Sequence, residues 1–577
     1  MLTAVALAIV PSVDTRVTTG SPTTPFSQNK QNEPAIAVDP NHPTVVVAGA
    51  NDQIDLEACN AGKDTDCPFT AGVGTSGVYF SFDSGQHWTQ PIYTGWTARD
   101  CLGMVGPDPG CTPHVGSIGT VPNYYEAGLV SQGDPAVAFG PKRAAGHFSW
   151  ANGSRLYYAN LVSNFTTGAF KGFSAVAVSR TDNVVAAAAG GASGKSAWMA
   201  PVIASKQNSS SFSDKDQIWA DNAASSPFFG NVYVCNSAFR GAVSGNGNGS
   251  VPLVVSVSTD GGNTWTSQQV TSATSNAPHG FQTGCTVRTD SHGVVYVAFA
   301  NFATGNPGIG SHNLVKSFDG GKSWTNPVSI LAMNDACYKV DPVFNECTED
   351  GIAGARSDLS AAPALDIANG APTGVGATNE IFDAWVDGRV PGLGATSNGF
   401  NHEKVLLKYS RNGGSSWFGP VVVNSLTPGD RGFYAAPAVS PNGADLYVVY
   451  NAFTTPFRND TTSPRSMVGV VKHADIAGGV PGAFGELHRG TPGDPRGSSA
   501  NSFVAEFLGD YVYADATNTY VVAAWNDVRN AADCPAVDSF RALAQTGGGV
   551  PPAPEQDCPA TFGNSDIFGG SYLDPTP

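Results

Sequence analysis

Charge is what this chain has least of. Only 13% of its residues are Asp, Glu, Lys or Arg, and 30 Lys plus Arg face 47 Asp plus Glu, a formal net charge of −17. No basic stripe interrupts the acidic excess. Gripping a phosphate backbone needs clustered Lys and Arg, so nucleic acid is excluded as a partner. The excess of acid suits solubility outside the cell better than any basic partner. Amphipathic helices are also lacking: no stretch carries the 3.6-residue apolar period over three or four turns. Nor is there an apolar run long enough to cross a bilayer. The start, MLTAVALAIVPSV, is too short for that and lacks the charged flank of a full secretion signal; it reads as a clipped signal or a first strand.

Motifs of cofactor and metal chemistry are missing as well. There is no CxxC, HExxH or GxSxG, and the ten histidines are scattered, so no cofactor and no zinc site are expected. GGASGKS at 190–196 lacks the first glycine of a P-loop and has no strand–helix context. Acidic loops such as CTEDG at 347–351 offer the one opening for Ca²⁺, through carboxylate and carbonyl oxygens.

Turn formers and short apolar runs are what is present. With 68 Gly and 40 Pro, the chain is dense in turns. Between them lie runs of five to eight residues such as TVVVAGA, NVYVCNSAF, GVVYVAFANF, DLYVVYNAF and TYVVAAW. Rich in Val, Tyr, Phe and Ala and bounded by Gly, Pro, Asn or Asp, they read as short strands, so the chain is all-β. Ten cysteines fall into neighbouring couples, Cys59/Cys67, Cys101/Cys111, Cys235/Cys285, Cys337/Cys347 and Cys534/Cys558. Local disulfides within long loops are the simplest reading, and they place the chain in an oxidising, secreted or cell-surface setting.

A repeat organises the strands. A short strand, a turn and a longer apolar strand ending in Asn or Asp recur from positions 33, 134, 216, 282, 362, 436 and 509. Each has room for two further strands behind it. Four antiparallel strands per unit predict a single β-propeller of seven blades, or six if one unit is irregular. Residues 1–30 form an N-terminal segment able to close the ring against the last blade and remove its open edge. Residues 31–577 are the propeller.

An octet marks four of the units: SFDSGQHW at 81–88, STDGGNTW at 258–265, SFDGGKSW at 317–324 and SRNGGSSW at 410–417. Its acid accepts bonds from nearby backbone N–H groups, glycine supplies positive φ, and tryptophan buries a large ring, all of which is hairpin chemistry. No residue in it is a nucleophile with a base beside it. The pattern S-x-D-x-G-x-x-W resembles the Asp box of the sialidase-like propellers, with Asn412 replacing the acid in the last copy. That resemblance implies boxes between the third and fourth strands of a blade, on the face opposite the site.

The opposite, front face would then carry the ends of the seven repeated elements. Entering residues include Glu33, Asp134, Asp214, Lys215, Asp216, Arg356, Asp358, Asp430, Arg431, Tyr434, Glu506, Asp510 and Tyr511; leaving residues include Asp52, Arg240, Asp387, Arg389, Asn451, Asp527 and Arg529. By analogy with sialidases, Arg356, Arg389, Arg431 and Arg529 are candidates for an arginine triad, because guanidinium forks suit a carboxylate. Tyr511 or Tyr434 is the candidate nucleophile, Glu506 its partner, and Asp510 a candidate acid. Asp52, Asp216, Arg240, Asp387, Tyr434 and Asp527 are candidate binding residues. The segment NEPAIAVDP, where a sialidase carries its first arginine, has none. In WVDGR at 385–389 and WNDVR at 525–529, Asp and Arg two apart equally suit a salt bridge that ties a strand end. The expectation is a propeller that recognises an extracellular glycan or glycoprotein without sialidase chemistry. The alternatives are a sialidase-type hydrolase of a terminal acidic sugar and a subunit of an extracellular assembly.

Overall fold

The second strand of each repeat is the most apolar, and it is covered on both sides. In Asp445–Phe453 every residue is buried, and in Val46–Asp52 all but one. A strand flanked by sheets on both faces cannot alternate apolar with polar residues, so it reads as a continuous run. The computed structural model describes residues 14–577 apart from 21–30, 58–69, 102–109, 167, 207, 241–249, 274–279, 304–307, 337–338, 341–346, 349, 353–358, 390–401, 426–428, 499–507, 545 and 553.

The architecture is a seven-bladed β-propeller of small antiparallel sheets. Blades 1 to 7 begin with the inner strands Gln31–Val38, Ala136–Ala144, Ser211–Ala220, Phe281–Thr289, Ala364–Ile367, Arg431–Val439 and Tyr513–Ala516. Each inner strand neighbours the next, and the seventh meets the first. Blade 7 is completed by Tyr520–Asp527, Asp566–Leu573 and, outermost, Thr15–Arg16 from the other end of the chain. Among the described residues blade 1 has three strands, and two isolated bridges, Phe80 to Thr89 and Gly77 to Thr120, stand for the expected fourth. The hydrophobic cores lie between blades: Tyr79 and Val46 of blade 1 pack with Val522 and Ile567 of blade 7, and Val234 of blade 3 with Val176 and Leu161 of blade 2.

All four octets lie directly after a third strand, ending at Ser81, Ser258, Ser317 and Ser410. In blade 3, Ser258 Oγ donates to Asp260 Oδ1 and accepts from Gly262 N, both at 2.8 Å. The N–H groups of Asn263 and Thr264 then donate to Asp260 Oδ1, both at 3.0 Å. Gly261 and Gly262 hold φ of 80° and 82°, the left-handed region that favours glycine. In the last octet, Asn412 Oδ1 keeps the same role by accepting from Ser416 N at 2.9 Å.

Two expectations need correction. Disulfides join Cys101 to Cys111, Cys235 to Cys285 and Cys534 to Cys558. Cys235–Cys285 is no loop staple, because it links the second strand of blade 3 to the inner strand of blade 4. The pairing is the neighbouring couple the sequence suggests, but the two cysteines face each other where two blades press together, a setting that spacing along the chain does not report. The couples Cys59/Cys67 and Cys337/Cys347 include positions outside the described residues. GGASGKS does have helical context: Gly191–Ser196 is a short helix, and Lys195 bonds Thr94 O at 2.7 Å and pairs with Glu126. Among the described residues no helix is long and apolar enough to cross a membrane.

Candidate functional site

The front of the axis is built by a repeated backbone irregularity. Near its start, an inner strand takes a left-handed residue: Glu33 (φ 55°), Asp134 (49°), Lys215 (54°), Gly284 (58°), Tyr434 (54°) and Gly509 (95°) in blades 1, 2, 3, 4, 6 and 7. Strand pairing slips at this place between Asn32 and Ala35, Asp214 and Gln217, Thr283 and Thr286, and Phe433 and Ala435. Such bulges re-aim side chains. Only two of the six are glycine, so the others carry backbone strain of the kind that gathers at functional sites.

Neighbouring blades hold these strained residues in place. Asn526 Oδ1, at the end of a blade 7 strand, accepts from Glu33 N at 2.9 Å; Asn51 Oδ1 of blade 1 accepts from Asp134 N at 2.8 Å. Asn51 Nδ2 also donates to Glu33 Oε2 at 2.6 Å. Blade 7 therefore helps set the bulge of blade 1, and blade 1 the left-handed residue of blade 2.

What the bulges bring together is one lysine and a ring of acids. Lys215 Nζ bonds Asp510 Oδ2 and lies 3.6 Å from Asp134, 3.8 Å from Glu33 and 3.8 Å from Asp214. Blades 1, 2, 3 and 7 all contribute. The carboxyls share unequal fates. Burial raises Glu33 well above the usual range, and the charge of Asp134 adds to this. Burial also lifts Asp214 to about 7, against the pull of Lys215, with Asp134 adding to the rise. Asp134 is buried too, but Lys215 and hydrogen bonds from Glu33 and Asp214 carry it below its ordinary value. Burial raises Asp216 well above the carboxylate range, with Asp134 and Asp214 reinforcing it. Lys215 is held strongly protonated by Asp134, Asp214, Asp510 and Glu33 in spite of burial. The cup thus pairs Asp134, held low, and a protonated Lys215 with Glu33 and Asp216, whose carboxyls burial pushes up, a mixture of acceptors and donors.

Part of that capacity is unused. Neither side-chain oxygen of Asp216, nor Asp510 Oδ1, nor the Tyr511 hydroxyl has a partner among the described residues. Buried polar groups are ordinarily satisfied, so orphans lining a cavity are groups that a water or a ligand there could engage. Lys215, Asp216, Tyr434, Asp510 and Tyr511 line one cavity at this end of the axis. Tyr511 is ionised only with difficulty, first because of burial and then because Glu33 and Asp134 lie close. The Cys235–Cys285 disulfide sits beneath, with Cys285 Sγ 3.7 Å from Lys215 O. A larger cavity, of about 170 Å³, opens on the back, with Arg288, Asp366 and Asp515 in its wall. Arg288 also lines the front cavity, bonding Gln217 Oε1 at 3.2 Å and lying over the Trp219 ring.

Of the arginines expected to converge, Arg389, Arg431 and Arg529 are each held by acids of their own. Arg389 Nε and Nη2 bond Asp387 at 2.8 and 2.6 Å, and Nη2 also donates to Ala332 O at 2.9 Å. Arg529 bonds Asp527 at 2.7 Å and Asp14 at 2.6 Å, with its guanidinium 3.9 Å from the Phe568 ring centre. Arg431 is buried between Asp350 and Glu403, both at 2.7 Å. Asp350, one of the two acids of the CTEDG loop, is thereby occupied by Arg431 and Arg465, and the other, Glu349, lies outside the described residues. Asp52 accepts from Gln31, Tyr79 and Gln90 inside blade 1 and its surroundings, and Arg240 reaches Gln269 at 2.6 Å. Arg356, Asp358 and Glu506 lie outside the described residues. The candidates that do meet are Asp216, Asp510, Tyr511 and Tyr434. Lys215 as hub was missed, as was Arg288: one lysine amid acids in FSDKDQ gives no sign in one dimension that four strand starts meet on it.

Fold and site together define a seven-bladed propeller with an acid-ringed axial cup. No protein-family model matches the chain, and no curated protein does. Its neighbours among solved structures include sialidases and other propeller glycosidases. It is similar to the Hadza microbial sialidase Hz136, at 13% identity over 73% of this chain and 63% of that one, TM-score 0.38. Trypanosoma rangeli sialidase in complex with the inhibitor DANA shares 12% identity over 79% of this chain and 56% of that one, TM-score 0.37. The phage phi92 endosialidase shares 9% over 97% and 69%, TM-score 0.39. The chain spans less than two thirds of the first two. Likeness at this level concerns the fold alone.

Proposed function

We propose that this is an extracellular recognition propeller that takes a neutral, hydroxyl-rich glycan into its front axial cup and has no sialidase chemistry. The observation that carries the reading is Lys215 ringed by Glu33, Asp134, Asp214 and Asp510. The one ammonium in that ring is already engaged by four acids and offers little to a carboxylate sugar, whereas hydroxyls would find both donors and acceptors. Arg389, Arg431 and Arg529 are engaged by their own acids and offer no fork to a substrate carboxylate. Three disulfides support an oxidising environment, and the net charge of −17 argues against nucleic acid. A glycan array probed with the purified protein tests this. Neutral glycans should bind and sialylated ones should not gain from their charge; preferential capture of sialosides would reject it.

A second reading, hydrolysis, rests on one observation. Glu33, whose carboxyl burial pushes up, neighbours Asp134, whose carboxyl Lys215 holds down, and the unpartnered Tyr511 hydroxyl, the unequal carboxyls a glycosidase acid–base pair needs. Aryl glycosides, sialosides included, would separate the readings. Release that disappears in Glu33→Gln favours the enzyme, and no release from any of them favours recognition.

A further inference from the structure

Blade 6 lacks the octet, and what replaces it is a different chemistry. In blades 1, 3, 4 and 5 the residue opposite the first position of the second strand is the octet serine, as in Val46 with Ser81, Val232 with Ser258, Val295 with Ser317 and Ile381 with Ser410. In blade 6 that pair is Asp445 with Asp475, and the next inward on the same face is Tyr447 with His473. Two aspartates directly opposed across a hairpin repel each other, which destabilises a strand end unless something positive lies between them. His473 Nε2 lies 3.1 Å from Asp445 Oδ1 and 3.9 Å from Asp475 Oδ1, and a third aspartate, Asp574, comes from just past the last strand of blade 7 to 3.8 Å.

We propose that Asp445, His473 and Asp475 form a divalent-metal site on the back of blade 6, with Asp574 as a fourth ligand that straps the C-terminal segment to it. Ligand atoms of the first three lie within 4.8 Å of one another. Four donors at about 2.1 Å around one zinc ion stand about 3.4 Å apart, a spacing that the three distances from His473 bracket. An imidazole with carboxylates suits zinc or manganese better than calcium, which prefers oxygen alone. Asp445, His473 and Asp574 are buried, while Asp475 is 63% exposed, which leaves a way in for the ion. Independently, the fully buried Tyr447 hydroxyl has no partner among the described residues, although its ring packs 5.0 Å from that of His473 and Asp445, Asp574 and Asp475 all act on it. A metal-bound water is the kind of acceptor that hydroxyl lacks. Asp475 is further held by Thr576 Oγ1, and Thr576 N donates to Asp574 at 2.8 Å, so the tail already reaches the cluster. Scattered in sequence, these ligands become neighbours only when the hairpin and the ring close.

Titration of Zn²⁺ into EDTA-stripped, tag-free full-length protein should show one ion bound per chain, a raised melting temperature, and slower hydrogen exchange at residues 573–577. His473→Ala should abolish stoichiometric binding, and Asp475→Asn, at an exposed position that leaves folding intact, should weaken it by roughly tenfold or more. Absence of 1:1 binding, or equal binding by wild type and Asp475→Asn, would overturn the proposal.

Discussion

Lys215 of blade 3 donates from Nζ to Asp510 Oδ2 of blade 7, and the bond crosses the middle of the ring. Blades 3 and 7 are not neighbours, so the pair ties together strand starts that only axial geometry can unite. With Glu33, Asp134 and Asp214 also in reach, one ammonium is shared by acids from the inner ends of four blades.

Replacing Lys215 with Met should therefore destabilise the protein strongly. Breaking a buried ion pair from one side costs about 3–5 kcal/mol, because the abandoned charges stay buried. Urea denaturation of Lys215→Met against wild type measures it. A loss below about 1 kcal/mol would mean the acids are neutral without the lysine.

Stability should peak in mildly acidic solution. Burial raises Glu33, and it lifts Asp52 to about 6 and Asp214, Asp221 and Asp515 to about 7. These groups hold protons in the folded state that an unfolded carboxyl releases near pH 4, so stability is lost as pH rises from about 4 to 7. Asp134 is shifted downward, and Asp319 and Asp460 fall to about 2; their contribution is lost as pH drops below about 4. A melting temperature higher at pH 5 than at pH 8 is expected. Asp515→Asn, which removes one buried group, should shrink the difference.

The octets and the arginines should behave as scaffold. Ser258→Ala deletes the acceptor for Gly262 N and should cost about 1 kcal/mol without changing ligand affinity. Arg431→Met should be far more damaging to stability than Arg389→Ala, since Arg431 is buried between two acids and Arg389 is 29% exposed. Parallel thermal melts of the three variants give the order.

The fold was legible because a propeller repeats its instructions. The octets, the runs such as DLYVVYNAF and the seven spacings all state the same unit, and the buried second strands explain why those runs are apolar throughout. The site was legible only as a pool. Glu33, Asp134, Asp214, Lys215, Asp510 and Tyr511 stand at strand starts, where sequence already placed functional residues, yet their convergence depends on bulges. A bulge in NEPA or FYAA leaves no compositional mark, since the left-handed residue there is Glu or Tyr instead of glycine. Arginines stood out in WVDGR and WNDVR for a local reason, the Asp two residues back that binds each of them. Partners from distant segments, such as Asp14 for Arg529 and Asp350 for Arg431, had no sequence signal at all.

The most direct test is calorimetric titration of one neutral oligosaccharide, selected on the glycan array, into wild type, Tyr511→Phe and Ser258→Ala. The axial cup as ligand site predicts that losing the Tyr511 hydroxyl weakens binding by about 5- to 10-fold, a hydrogen bond's worth. Ser258→Ala, on the opposite face, should bind as wild type. Equal affinity for wild type and Tyr511→Phe, with loss in Ser258→Ala, would place the ligand on the back and contradict the account.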